Sequence, residues 1–552
     1  MEEVYLKKKL KHEIFKYLFF FVIFFSVSTS FFIWIGMKIQ KKKDKKSDYQ
    51  IITPIDIVKN KFIDVLQQVE KSYVNEIDIV KYTGLAIKNL ISTIDQNSSY
   101  IDAKSIEENW ALSSDNESLD FIYNIDKGQV FVVAPIYEGL SYDIGLRSGD
   151  EILKINDDDL SVKKYNELEL ATKFVASQNS KVSLLVKKKD KSLQSINFAK
   201  KKIIPTSNII SCMLEPDMGY IKINFFGQNS SKEFGISLSN MIRQGLKNLI
   251  LDIRSNPGGD IDEAISTAEK LLKKGTLICA IKGKIESFNR LIYSKAKEIY
   301  DNINILVLID EGTAGGAEIL AGAIQDNDKG IIAGSKSFGK GFIKNKIILQ
   351  DGSQILLTVG RYYTPSGRSI SKENKKKNED QSILVENLKN IDYISSENIN
   401  SGENIYHTLS GRIVYGDGGI VPDFFIVKNQ DTNNYLDSIN FIIKEVAKSY
   451  TSQNINISKT EFNSFMKNFE VSNILVDQVI VGSKEAGIEC DESIFKSIKP
   501  IIKIKLKCYI ASLIWKSDPH FILLINNDET IQKAIKILKE NSFKQESKKD
   551  EV

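Results

Sequence analysis

Between Ile305 and Lys344 the chain reads ILVLIDEGTAGGAEILAGAIQDNDKGIIAGSKSFGKGFIK. A five-residue apolar run, too short for a buried helix, breaks at Asp310 into glycines. It restarts as a helical segment and returns to a lysine, Lys340, flanked by Gly339 and Gly341. A strand that feeds a helix directly through glycines commits this region to an α/β architecture.

A second unit of the same kind lies upstream. The strand Asn248 to Ile253 opens into Arg254-Ser255-Asn256-Pro257-Gly258-Gly259, and Ile261, Ala264, Ile265, Ala268, Leu271 and Leu272 then recur at helical spacing. Two glycines between a strand and a helix let backbone N–H groups approach an anion closely. Taken alone, the same residues are equally a plain strand-to-helix turn.

Composition narrows the chemistry. The chain has 552 residues, 42% of them hydrophobic, enough for several domains with real cores. Its net charge of +4 rests on 75 Lys+Arg. Arginine is sparse among them, so bidentate phosphate recognition is poorly served and no nucleic-acid partner is expected. Cys212, Cys279, Cys490 and Cys508 are far apart and form no CxxC pair, which signals neither a zinc site nor a disulfide framework. With His12, His407 and His520 the only histidines, HExxH metal chemistry is absent and a Ser-His-Asp triad is not supported. No metal or cofactor is expected.

Tyr17 to Met37 is free of charge and rich in Phe, Ile and Val, the length of a transmembrane helix. Lysines crowd both flanks, so charge alone does not orient it. The expected division is an N-terminal tail and transmembrane helix over 1–40, a linker and helical N-terminal region over 41–117, a strand-rich domain over 118–202, the α/β core over 203–430 and a helical C-terminal extension over 431–552. The polar stretch from Ser371 to about Glu403 is expected to be a solvated loop.

In the strand-rich domain, Gly145-Leu146-Arg147-Ser148-Gly149-Asp150 followed by Ile152, Leu153 and Ile155 resembles the G-L-x-x-G-D-x-I signature of PDZ domains. PDZ domains bind peptide ends by strand addition. The resemblance places the peptide-binding loop at Ser118 to Phe121, with Leu119 and Phe121 as its apolar contacts.

The glycine segments, with Arg361-Tyr362-Tyr363-Thr364-Pro365-Ser366-Gly367-Arg368-Ser369-Ile370 and Tyr415 to Asp423, are similar to motifs of the C-terminal processing (tail-specific) serine peptidases. In that family the segment around residue 315 reads near S-A-S-A-S-E…Q-D…F-G-K-G-x-x-Q. The resemblance implies a crotonase/ClpP-like β/α peptidase core with a PDZ domain, anchored in a bacterial inner membrane by a single pass, its bulk in the periplasm. It implies polypeptide C-terminal tails as partners, with envelope proteins possible partners of the C-terminal helices. Carried over by position, Lys340 is the general base, and Gly258, Gly259 and Gly316 supply oxyanion donors. Gly315 stands where the nucleophilic serine belongs, and Lys344 stands where a glutamine orients the base.

An acyl-enzyme needs a side-chain oxygen or sulfur at the attacking residue, which glycine lacks. The expected function is peptide binding without hydrolysis. The alternatives are an active peptidase using another hydroxyl, such as Thr313 or Ser337, and a non-catalytic envelope scaffold.

Overall fold

The computed structural model describes residues 15–16, 54–95, 97–104, 106, 121–126, 128–135, 140–162, 165, 170, 181–199, 209–295, 302–372, 393–395, 404–416, 418–426, 435–454, 457, 461–488, 492–515 and 519–549. The apolar run Tyr17 to Met37 lies outside them, as do Ser118, Leu119 and Asp120. Among the described residues no helix is long and apolar enough to cross a membrane. The chain divides into two compact units, residues 1–85 and 86–552. The first contains helix α1 (Pro54–Ser72), and helix α2 (Ile79–Ile94) follows it in sequence. Everything below concerns the second unit.

Short runs that are apolar on both faces cannot serve a half-solvated sheet; they need cover on both sides. Such runs form the central strands β9 (Met218–Ile223), β10 (Asn248–Asp252), β13 (Asn304–Ile309) and β14 (Gly330–Gly334). They pair in parallel, with β20 (Phe424–Ile426) parallel beyond β14. β8 (Ile209–Glu215) and β17 (Tyr393–Ser395) close the two edges antiparallel, giving seven strands in the order β17-β20-β14-β13-β10-β9-β8. Strand β17 corrects the expectation of an unbroken solvated loop from Ser371 to Glu403. Tyr393 packs edge-on against Phe424 at 5.7 Å, which holds that short segment to the sheet.

Alternate residues of these strands face opposite sides. On one face Ile221, Leu251 and Val307 pack against α4 (Ser230–Arg243), α5 (Ile261–Glu269) and α6 (Gly316–Asp326). On the other, Met218, Tyr220, Ile250, Leu306 and Leu308 are covered by Ile525 of α11 (Pro519–Asn526) and by Ile531, Ala534, Ile537 and Leu538 of α12 (Glu529–Lys549). The end of the chain thus completes the core sheet. A second sheet pairs β16 (Gln354–Tyr363) with β1 (Ser99–Ile101), β15 (Phe342–Ile348) and β11 (Leu277–Gly283), and β11 in turn with β12 (Arg290–Tyr293).

Residues 121–199 form a small β domain with its own core: β2 (Phe121–Asp126), β3 (Gln129–Pro135), β4 (Glu151–Ile155), β6 (Lys181–Lys187) and β7 (Leu193–Ala199) in order, with β5 (Asp158–Asp159) beside β4. Its one described helix is the short α3 (Leu140–Asp143). Helices α7 (Asn440–Gln453), α8 (Phe462–Asn468), α9 (Asn473–Glu485) and α10 (Glu492–Trp515) pack around a separate apolar cluster. The result is a mixed α/β chain, and the two strand-to-helix crossings read from sequence, β10 to α5 and β13 to α6, lie side by side in one sheet.

Candidate active site

Parallel neighbours end at the same edge of the sheet, so the turns that leave β10 and β13 meet. One carboxylate stitches them together. Asp310 Oδ1 accepts from the backbone N–H groups of Ser255 at 2.7 Å and Gly312 at 3.0 Å, and Oδ2 accepts from Ser255 Oγ at 3.0 Å. Asn256 adds a second stitch, because its carbonyl accepts from Ala314 N at 2.8 Å. Its side chain, fully buried, donates to the Ile223 carbonyl at 2.9 Å and accepts from Gly258 N at 2.9 Å.

These bonds bring the four sequence-identified glycines, Gly258, Gly259, Gly315 and Gly316, together. A Cβ on Gly258 would lie 2.9 Å from the Ala314 carbonyl oxygen and 3.2 Å from Gly316 N. Gly259, at φ +123°, passes so near Phe226 that a Cβ would sit 2.2 Å from its carbonyl oxygen, so only glycine fits. Gly316 is the first residue of α6, where a backbone N–H has no intrahelical acceptor and carries the positive end of the helix dipole.

Gly315 is the N-cap of α6, at φ +58° and ψ −116°. This is a sharp strand-to-helix turn of the kind that exposes a nucleophile in hydrolases. A Cβ there would meet nothing closer than 3.9 Å, its neighbours being Gly258 Cα and the Pro257 carbonyl. The turn therefore has room for a side chain pointing at the Pro257-Gly258 turn, but its left-handed φ is one that favours glycine, and no side chain fills it.

The residue that organises this end of α6 is Glu318, which is fully buried. Its Oε2 accepts from Gly315 N at 3.0 Å and Lys340 N at 2.8 Å; its Oε1 accepts from Gly339 N at 2.7 Å and Ser337 Oγ at 2.5 Å. One carboxylate oxygen thus holds both the backbone of the nucleophile position and that of the lysine. Burial pushes the Glu318 carboxyl up to about 7, against the opposing pull of those four donors. A glutamate three residues after an N-cap is the second half of a capping box, a pattern legible in the sequence. Its reach to residues 337–340 is not.

The two hydroxyls that could replace a serine are both committed. Ser337 Oγ gives its proton to Glu318 and accepts from Ile420 N at 2.6 Å. Thr313 Oγ1 donates to the Ile253 carbonyl at 2.9 Å and accepts from Asp310 N at 3.0 Å, fully buried. Nor do Ser337 and Lys340 share a helical turn, since residues 335–341 form a loop between β14 and β15. Burial also pushes the thiols of Cys279 and Cys508 up to about 12, which leaves them protonated.

Lys340 lies exposed in that loop, and Lys344 lies exposed on β15 opposite Thr358, just past a register shift. Phe121 opens β2 of the small domain with its ring buried in that domain's core; Leu119 lies outside the described residues. The Gln325-Asp326 and Arg368 positions serve the scaffold. Arg368 pairs with Asp326 and donates to Gln325 Oε1 and to the Tyr415 carbonyl, both at 2.8 Å. Asp326 Oδ2 also accepts from Ser366 N at 2.9 Å. The 364–370 turn is thereby pinned to the C-terminal end of α6.

Residues 217–380 match the model of peptidase family S41, and residues 435–516 match a family of unknown function (DUF8443). The carboxy-terminal processing protease CtpA of Bacillus subtilis is 29% identical over 314 residues, covering 56% of this chain and 66% of that protein. The carboxy-terminal-processing protease of Bartonella bacilliformis is 29% identical over 317 residues, covering 56% of this chain and 72% of that protein. Among solved structures, a photosystem II D1 C-terminal processing protease matches 56% of this chain and 89% of its own at 21% identity. The TM-score of that match is 0.48.

Proposed function

We propose that this chain, whose residues 217–380 match peptidase family S41 and which is similar to carboxy-terminal processing proteases, binds polypeptide C-terminal tails without hydrolysing them. The observation that carries this reading is the turn at Gly315: hydrolase-like in backbone, open to a side chain, and without an attacking atom. A base cannot activate an absent nucleophile, and the nearby hydroxyls of Ser337 and Thr313 have other partners. What stays for a carbonyl or carboxylate is the Gly316 N–H beside the Gly258-Gly259 turn, where the Gly258 N–H is already given to Asn256 Oδ1. In well-studied triads such remnants alone retain roughly 10³-fold over water, far below a working peptidase. The same reading takes residues 118–202 as a PDZ module that receives the tail, and the apolar run Tyr17 to Met37 as an inner-membrane anchor with the body in the periplasm.

The test uses the full chain with unfolded proteins bearing apolar C-termini, comparing wild type, Lys340→Ala and Gly315→Ser. Tail binding by the wild type with no cleavage, and cleavage gained by Gly315→Ser, is the expected pattern. Wild-type cleavage that disappears in Lys340→Ala would establish an active peptidase with another nucleophile.

A further inference from the structure

The G-L-R-S-G-D turn of the small β domain is occupied by a docking contact within the chain. Gly145, at φ +89°, approaches the backbone of Asp437 so closely that a Cβ would lie 3.2 Å from its carbonyl oxygen. Arg147 reaches the same residue, its guanidinium 2.8 Å from Asp437 Oδ1. That guanidinium is itself held by the Tyr142 and Leu146 carbonyls at 2.6 and 2.7 Å and lies 4.1 Å from the centre of the Tyr142 ring. Asp143, next in the chain after Tyr142, pairs with Lys444 at 2.7 Å and accepts from Asn440 of α7 at 3.4 Å. Asn440 is fixed in turn by Lys505 and Tyr509 of α10, at 3.0 and 2.8 Å.

The same region touches the candidate active site. Arg254, which opens the Arg254 to Gly259 turn just beyond β10, pairs with Asp252 at 2.6 Å and with Asp528 at 2.9 Å. Asp528 also caps α12, accepting from Thr530 N at 2.8 Å and Ile531 N at 3.1 Å. The two junctions adjoin. Tyr142 of the small domain lies in the field of Arg147 and Asp437 and also of Arg254 and Asp528.

We propose that residues 435–528, including the stretch of unknown function, are an intramolecular clamp that fixes the small β domain and the Arg254 to Gly259 turn in one relation. The domain is gripped at its Gly145–Asp150 turn, and the site is gripped at Arg254. The charges used come from three distant parts of the chain and satisfy one another in a partly buried joint, where removing one partner strands the other. The inference does not depend on whether a peptide is bound or cut.

Hydrogen exchange on the full chain tests it with four variants. Asp528→Asn keeps a capping side chain, because Asn caps as well as Asp, and removes the charge facing Arg254. It is expected to raise exchange at 254–259 by roughly tenfold while the interior of β13 stays protected. Lys444→Asp sets like charges against Asp143 and is expected to do the same at 140–150. The double exchange Asp143→Lys with Lys444→Asp restores protection. Unchanged exchange at both turns, or a double variant no better than the single, overturns the clamp. Should Lys444→Asp lose protection throughout, Asp437→Asn decides in its place: a rise confined to 140–150 supports the clamp, and no rise overturns it.

Discussion

Glu318 sets the chemistry of the site edge through a single carboxylate. Its folded value of about 7 lies above the ordinary carboxylate range, so the folded chain holds this proton more tightly than the unfolded chain. The sign follows: the contribution to stability is fully present below pH about 4.5 and is lost as the pH rises through about 7. Over that window the loss is about 3 kcal/mol, since each pH unit between the two values is worth ~1.4 kcal/mol. Denaturant unfolding of the wild type from pH 4.5 to 8 is expected to show this slope, and Glu318→Gln to lack it. Glu318→Gln should also be less stable where the carboxyl is ionised, since an amide cannot accept from Gly315, Lys340, Gly339 and Ser337 together. The place of Gly315 at the start of the helix was readable from the resemblance, laid on the chain by Glu318, Gln325-Asp326 and Phe338-Gly339-Lys340 downstream of it. The fourfold role of Glu318 was not, since three of its four partners lie 19 to 22 residues away in a loop that only the fold brings back.

Strands and helices near the site follow their sequence patterns closely. The apolar run from Asn248 became β10, the periodic residues from Ile261 became α5, and Ile305 to Ile309 fell within β13. What the patterns could not carry is how elements are fastened. The string Arg361 to Ile370 read as a family motif, yet its chief contribution among the described residues is Arg368, 1% exposed, locked to Asp326 at the end of α6. Arg368→Ala leaves Asp326 buried and uncompensated and is expected to cost about 3–5 kcal/mol. The paired replacement Arg368→Met with Asp326→Leu should recover most of that, as measured by chemical denaturation. A large loss in the double variant as well would mean that the Gln325 and Tyr415 contacts, and not the ion pair, hold the turn.

Across the molecule, the charges that join the domains are spread from Arg147 to Asp528, and no local pattern links them. Helical periodicity after residue 434 announced helices without saying what they hold. Calorimetry of the full chain is expected to show the small β domain melting together with α7–α10, and Asp437→Asn to split off an earlier transition. For a domain of this size each 1 kcal/mol removed moves a midpoint by roughly 4–8 °C. A separate small-domain transition already present in the wild type would contradict the shared joint. The cover on the second face of the core sheet has a consequence for the order of events in synthesis. On this face Met218, Tyr220, Ile250, Leu306 and Leu308 are covered by Ile525, Ile531, Ala534, Ile537 and Leu538. The central strands therefore leave the ribosome long before the segment that shields them. Until the last helix emerges, the nascent chain carries an uncovered apolar sheet face, which makes it slow to finish folding and a natural client for chaperones.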